Sequence, residues 1–257
     1  MTKYTHINKY SKETFSCTMR DGRTAKHDVY TRGNRKKVVV IIQEVPGIGP
    51  QTLRLADLFF EQNYTVVIPH LFGPLEKVAS ARNMIKVCIS KEFRVFAKNQ
   101  TSPIVDFLAE LCASLKIKHK VKGVAVIGMC ITGNFAISLM ANKSVLAGFA
   151  SQPSLPFLSQ KSLHMAPQEI EEIKEKLDLV GPMHCGRFEK DKLCTHRKII
   201  ALQKTFNDKN KERIIFHELP GKGHSILTLD FVPKDRQDPT QKTLNTIFNY
   251  FDEQLTL

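Results

Sequence analysis

A cysteine flanked by small residues at the end of an apolar run is the first feature of this chain that could do chemistry. It is Cys130, in "VIGMCITGNFA" (residues 126–136), with Gly128 two positions before it and Thr132-Gly133 after it. A strand that turns sharply into a helix needs small residues on both sides, and the residue at the apex is then presented outward. A thiol at such an apex is a nucleophile when a base holds it as thiolate, and the start of the following helix adds a favourable field. The competing reading is a buried structural cysteine, so the rest of the chain has to supply the base.

Two residues further along fit that need. His224 lies in the glycine-rich loop "LPGKGHSI", after the strand expected at Arg213–His217, a setting that the other eight of the nine histidines lack. Asp191, in "CGRFEKDKLC", follows the strand expected at Val180–Cys185 and would orient the histidine and stabilise its imidazolium. Glu189, two residues away, is the competing acid. A further carboxylate, Glu44, ends the run "VVVIIQEVPGIG", where it either meets solvent or points into the site. There the backbone N–H of Val45 would form half of an oxyanion hole, and the N–H of Ile131, next after the cysteine, the other half.

These residues need a scaffold that brings strand ends together. Glu13–Met19 and Thr24–Tyr30, joined at Asp21-Gly22, read as a β-hairpin with a DG turn. Lys36–Gln43, Tyr64–Ile68, Val121–Ile127 and Val145–Ala150 read as strands, the first a β-branched run of the kind buried on both faces of a parallel sheet. Helices are expected at Gln51–Gln62, Pro103–Leu115, Ile131–Met140, Gln168–Lys176 and Thr195–Phe206. The last helix has the best-marked start, with Asp238 as N-cap, Pro239 first in the helix and Gln241 placed for a capping box. Alternating strands and helices after a hairpin imply an α/β sandwich with a mostly parallel sheet, whose reactive groups sit at the carboxyl ends of the strands. The order Cys, Asp, His is the order of the α/β-hydrolase fold and differs from the serine-protease orders.

Composition narrows the function further. The 257 residues, 42% hydrophobic, contain no linker, repeat or low-complexity tract, so one domain over residues 1–257 is expected. Met1–Tyr10 is polar, and no apolar run is long enough to span a membrane. Six cysteines (17, 88, 112, 130, 185, 194) spread along a chain without a secretion signal read as reduced thiols of a cytoplasmic protein. The net charge is +13, with basic clusters at Arg32–Lys37 and Lys116–Lys122. No zinc-finger or RNA-binding signature accompanies them, so they read as solvated surface rather than a nucleic-acid site, although a basic field would draw in small anions. His184, Cys185, Cys194 and His196 do not match structural zinc spacings, and no metal or cofactor is expected. Oligomeric state has no signature in the chain.

The stretches "IIQEVPGIGP", "VIPHLFGP", "GMCITGNFA", "FEKDKLC" and "GKGHS", in this order, resemble the dienelactone hydrolase family, carboxymethylenebutenolidases of the α/β-hydrolase fold. The resemblance runs from Val38 to His224 and continues weakly into the last helix. It implies a three-layer α/β/α sandwich and hydrolysis of a small carboxylic ester or lactone through an acyl-enzyme. It also implies roles: Cys130 attacks, His224 manages the proton, Asp191 supports it, and Val45 and Ile131 hold the oxyanion. Glu44 would interact with the thiol at rest and be displaced by substrate. Two positions depart from the family pattern. Thr132 replaces a glycine of Gly-x-Cys-x-Gly-Gly, and Thr228 stands four residues after the histidine, where members carry an arginine for the substrate carboxylate. Arg94, in "SKEFRVFA", is the candidate replacement, and Pro153–Asp178 is a candidate lid. The alternative is a non-catalytic binding protein of the same fold.

Overall fold

The computed structural model describes residues 4–20, 22–76, 102–155, 161–163, 165–233 and 235–256. One eight-stranded sheet runs in the order β1-β2-β4-β3-β5-β6-β7-β8. Its strands are β1 (Ser11–Thr18), β2 (Thr24–Arg32), β3 (Lys37–Ile42), β4 (Tyr64–His70), β5 (Val124–Met129), β6 (Val145–Ser151), β7 (Met183–Phe188) and β8 (Ile214–Leu219). β1 pairs antiparallel with β2, and β2 antiparallel with β4; every other pairing is parallel.

The β-branched run of β3 shows why the sheet is covered on both faces. Successive side chains of a strand point to opposite faces. Val38, Val40 and Ile42 accordingly enter one apolar cluster, while Val39 and Ile41 enter the other. The first cluster is completed by α2 (Pro103–His119), α3 (Gly133–Leu139), α4 (Pro167–Val180) and α5 (His196–Phe206). The second is completed by α1 (Pro50–Glu61) and α6 (Pro239–Thr256). The result is a three-layer α/β/α sandwich with a mostly parallel sheet and an antiparallel N-terminal hairpin. From β3 the chain passes to β4 on one side and then to β5 on the other, so the strand order reverses between β3 and β5. In open α/β sheets that crevice is where ligands bind. Glu44 and Cys130 stand at the carboxyl ends of these two strands.

Several local expectations are adjusted. The hairpin closes through a longer loop, in which the N–H of Met19 bonds the carbonyl of Arg23 at 2.8 Å; Asp21 itself is outside the described residues. β7 begins at Met183 rather than Val180, because α4 continues to Val180 and ends on Gly181 at φ 96°. Part of the segment considered as a lid is core, and its residues 156–160 and 164 lie outside the described residues. Leu163, Met165, Ile173 and Leu177 are all buried in the cluster shared with α2 and α5, which leaves only part of 153–178 for any covering role. At the last helix, Asp238 Oδ1 accepts the N–H of Thr240 at 2.8 Å, while the Gln241 amide donates along the helix to Asn245.

The basic cluster Arg32–Lys37 is consumed internally. Arg32 pairs with Asp57 and lies 3.9 Å from the centre of the Phe60 ring. Arg35 donates to the Phe60 carbonyl, Lys36 to the His119 carbonyl, and Lys37 to Asp252. These cations therefore fasten the hairpin side of the sheet to α1, α2 and α6. Among the described residues, no helix is long and apolar enough to cross a membrane.

Candidate active site

Cys130 sits immediately after β5 with φ +58°, a left-handed backbone that a non-glycine residue adopts only when its surroundings enforce it. The enforcement is visible on both sides. A Cβ at Gly128 would lie 2.0 Å from the carbonyl oxygen of Thr132, so the strand and the turn can approach only with glycine there. Residues 130–132 then form one turn of 3-10 helix that runs straight into α3. Thr132 takes an ordinary right-handed conformation (φ −76°, ψ −9°), so the turn does not require glycine at that position. The predicted elbow is present, and its apex is the thiol.

The structure brings His224 and Asp191 together across 33 residues of sequence. His224 Nδ1 lies 2.7 Å from Asp191 Oδ2, and the Asp191 side chain is fully buried. The other oxygen, Oδ1, accepts the N–H groups of Leu193 at 2.7 Å and Cys194 at 3.1 Å. His224 Nε2 is buried without a hydrogen-bond partner among the described residues. Burial works against the imidazolium, but the bond to Asp191 and the coupling to the Cys130 thiol outweigh it and push the His224 pKa up to about 10. The thiol is thus near enough to influence the proton on the imidazole while not meeting hydrogen-bond geometry with Nε2. Glu189, the competing acid, uses its backbone carbonyl to accept from Arg187, and its carboxylate lies 3.6 Å from Lys190.

Glu44 is buried, and its carboxylate accepts from Ser225 Oγ at 3.0 Å and from Thr228 Oγ1. Burial raises its pKa, opposed by those two hydroxyls and by His224. The position where family members carry an arginine therefore faces the glutamate with a hydroxyl. Thr228 is itself braced by Arg54, whose Nη2 donates to its carbonyl at 2.7 Å. The carboxylate of Glu44 is thus bonded to the histidine loop rather than to the cysteine. Val45 and Ile131 flank the crevice as buried residues directly after Glu44 and Cys130. Arg94 lies outside the described residues.

Sequence reasoning missed the residues that hold this arrangement. Asp230 Oδ2 accepts the N–H groups of both His224 (2.8 Å) and Ser225 (2.9 Å), which closes the histidine loop. Arg187, 2% exposed in β7, spans the acid loop from beneath. Its Nη1 donates to the Cys194 carbonyl at 2.6 Å, Nη2 to the Glu189 carbonyl at 2.8 Å, and Nε to Glu218 at 2.9 Å. The sequence offered no signal for Arg187, which lies two residues past the strand expected at Val180–Cys185.

The four residues considered as metal donors go separate ways. His184 stacks on Tyr250 with ring centres 4.2 Å apart and meets His217, whereas His196 lies 3.7 Å from Glu218. Cys185 and Cys194 are buried, and burial raises the pKa of both. Among the described residues no group of three His, Cys, Asp or Glu side chains converges on a metal position. The five described cysteines form no disulfide.

Solved structures share this architecture. A dienelactone hydrolase-like promiscuous phosphotriesterase from metagenomic libraries aligns with a TM-score of 0.60 at 15% identity, covering 95% of this chain and 98% of that one. An α/β hydrolase from Penicillium sp. sh18 aligns at 0.58 with 16% identity, over 96% and 100% of the two chains. An esterase of Pyrococcus furiosus also aligns at 0.58, with 12% identity, over 96% and 93%. No curated protein matches the sequence. The family model described as the dienelactone hydrolase family matches residues 26–254, nearly the whole chain, and the protein belongs to that family of hydrolases.

Proposed function

We propose that the chain, acting as one domain in the cytoplasm, hydrolyses a small carboxylic ester or lactone through a cysteine nucleophile. Cys130 attacks the carbonyl carbon, a C–S bond forms, and the oxyanion is received by the N–H groups of Val45 and Ile131. As the intermediate collapses the C–O bond breaks, and the proton on His224 Nε2 goes to the leaving alkoxide. Water then attacks the thioester, giving its proton to His224, and the C–S bond breaks to release the acid and restore the thiolate beside the imidazolium.

The observation that carries this reading is the conjunction at the strand ends. A cysteine at φ +58° stands beside a half-buried histidine whose Nδ1 is engaged by Asp191 at 2.7 Å and whose Nε2, itself buried, has no hydrogen-bond partner among the described residues. A pKa near 10 keeps the imidazole protonated at neutral pH, the state that favours a neighbouring thiolate. Glu44 bonds Ser225 and Thr228 rather than the thiol that the resemblance implies as its resting partner, so gating by Glu44 requires its carboxylate to leave those hydroxyls and reach Cys130. Thr228 commits its hydroxyl to Glu44, so a substrate carboxylate, where present, would rely on Arg94.

The test is a panel of small aryl esters and lactones, with and without a carboxylate, offered to the parent and to Cys130→Ala. Loss of the thiol should lower kcat at least about a thousandfold, since a nucleophile and its base act as a unit. Full activity in Cys130→Ala would overturn the mechanism. No turnover by the parent, with a Cys130 unreactive at neutral pH, would favour a non-catalytic binding protein.

A further inference from the structure

A threonine hydroxyl has one proton to give and two lone pairs to receive with. Thr132 is fully buried and uses both capacities at the elbow. Its Oγ1 accepts the N–H of Met129 at 2.8 Å, and its proton has three carbonyl oxygens in reach: Met129 at 3.0 Å, Ile42 at 3.1 Å and Gln43 at 3.1 Å. Two of those carbonyls belong to the neighbouring strand end. The ladder between β3 and β5 runs as far as Ile42 opposite Gly128, and the Thr132 hydroxyl continues the connection past it. From the other flank, the Gln43 side chain donates to the Phe72 carbonyl at 2.6 Å and accepts the N–H of Leu71 at 3.1 Å. The segment that turns from β3 into Glu44 and Val45 is therefore held on both sides. A glycine at 132 would offer no hydroxyl to one of them.

We infer that Thr132 is a positioning residue that fixes the separation of the two oxyanion-hole amides, Val45 N–H and Ile131 N–H. This rests on the reading of Cys130 as nucleophile given above. Thr132 directly follows Ile131 in sequence, and Gln43 lies two residues before Val45, so the hydroxyl bridges the two chain segments that carry the donors. An oxyanion hole works only while both donors stand about 2.7–3.1 Å from the developing charge, so a small slip between the strand ends weakens it. The residue touches neither substrate nor thiol. It acts through the backbone of its neighbours.

Alkylation separates this role from a general support of the elbow. When iodoacetamide captures a cysteine, an S–C bond forms, the C–I bond breaks and iodide leaves, so no oxyanion develops. Thr132→Val keeps the branched shape without the hydroxyl, Thr132→Gly restores the family residue without it, and Thr132→Ser retains it. Each is assayed for hydrolysis of p-nitrophenyl acetate and, by peptide mass, for the rate of iodoacetamide capture at Cys130. Thr132→Val and Thr132→Gly should lose about tenfold to a hundredfold in kcat with KM and the capture rate within about twofold of the parent. Thr132→Ser should stay within about threefold throughout. Parent-like kcat in the hydroxyl-free variants would overturn the inference, as would a capture rate that falls in step with kcat or a serine variant as impaired as the valine one. Failure of the underlying reading shows separately, as hydrolysis by the parent that Cys130→Ala retains.

Discussion

β3 and β7 lie in one sheet, separated by β5 and β6, and are buried almost alike, yet they are made of opposite kinds of residue. β3 reads KVVVII and needs only apolar surfaces on its two faces, which α1 and α6 on one side and α2 on the other supply. β7 reads MHCGRF and is buried at every position, with an imidazole and a guanidinium among its side chains. Burying a charge without partners is prohibitively unfavourable, so Arg187 can occupy that strand only while Glu218 and two loop carbonyls satisfy it. Those carbonyls belong to Glu189 and Cys194, which bracket Asp191. The polar strand thereby does what the apolar strand cannot: its burial dictates the shape of the loop that carries the candidate acid.

The sharpest break in that comparison is Arg187→Met, which keeps bulk and removes every bond of the guanidinium. Unfolding in urea should show a loss of about 3 kcal/mol, since two carbonyls and Glu218 are left without their donor. Because Glu218 is partly exposed, with 39% of its side chain accessible, the carbonyls account for most of the loss. Hydrolysis should fall with it as the Asp191 loop loosens. A variant as stable and as active as the parent would mean that Arg187 does not organise the loop.

On β3 the matching change is Ile41→Val, which deletes one methylene from a fully buried apolar site. A loss of about 1 kcal/mol in the same urea titration, with hydrolysis at the parent rate, is expected. A loss of activity there would show that apolar strands also tune the site, and the contrast with β7 would fail.

The pH dependence falls on His224, the group that the β7 loop holds through Asp191. Its pKa is raised in the folded chain from 6.5 to about 10, so its contribution to stability is fully present below pH 6.5 and is lost as pH rises through about 10. The difference in Tm between the parent and His224→Gln should therefore shrink across that interval. A difference that grows with pH would contradict the protonated histidine.

The same contrast explains what the amino-acid sequence disclosed. Strands such as β3, with five consecutive apolar residues after Lys37 and burial on both faces, could be read directly, as could the last helix from Asp238-Pro239. β7 starts three residues later than the sequence suggests, because Val180 looks like a strand residue while Arg187 does not. The cysteine, histidine and aspartate stood out through their positions after strands, which local pattern can report. The roles of their supports did not: Thr132 bonds the Ile42 carbonyl 90 residues away and Thr228 bonds Glu44 184 residues away, while Asp230 and Arg187 bond the backbone of nearby loops whose shape no local pattern reports. Such partners are properties of the assembled sheet rather than of any window of the chain.

The most direct measurement of the central claim is intact-protein mass spectrometry of the parent, quenched in acid during turnover of a slowly hydrolysed aryl ester. The account predicts one added acyl group, localised by peptide mapping to Cys130 and absent from Cys130→Ala. Turnover without any acyl group on Cys130, or an acyl group on another residue, would contradict it.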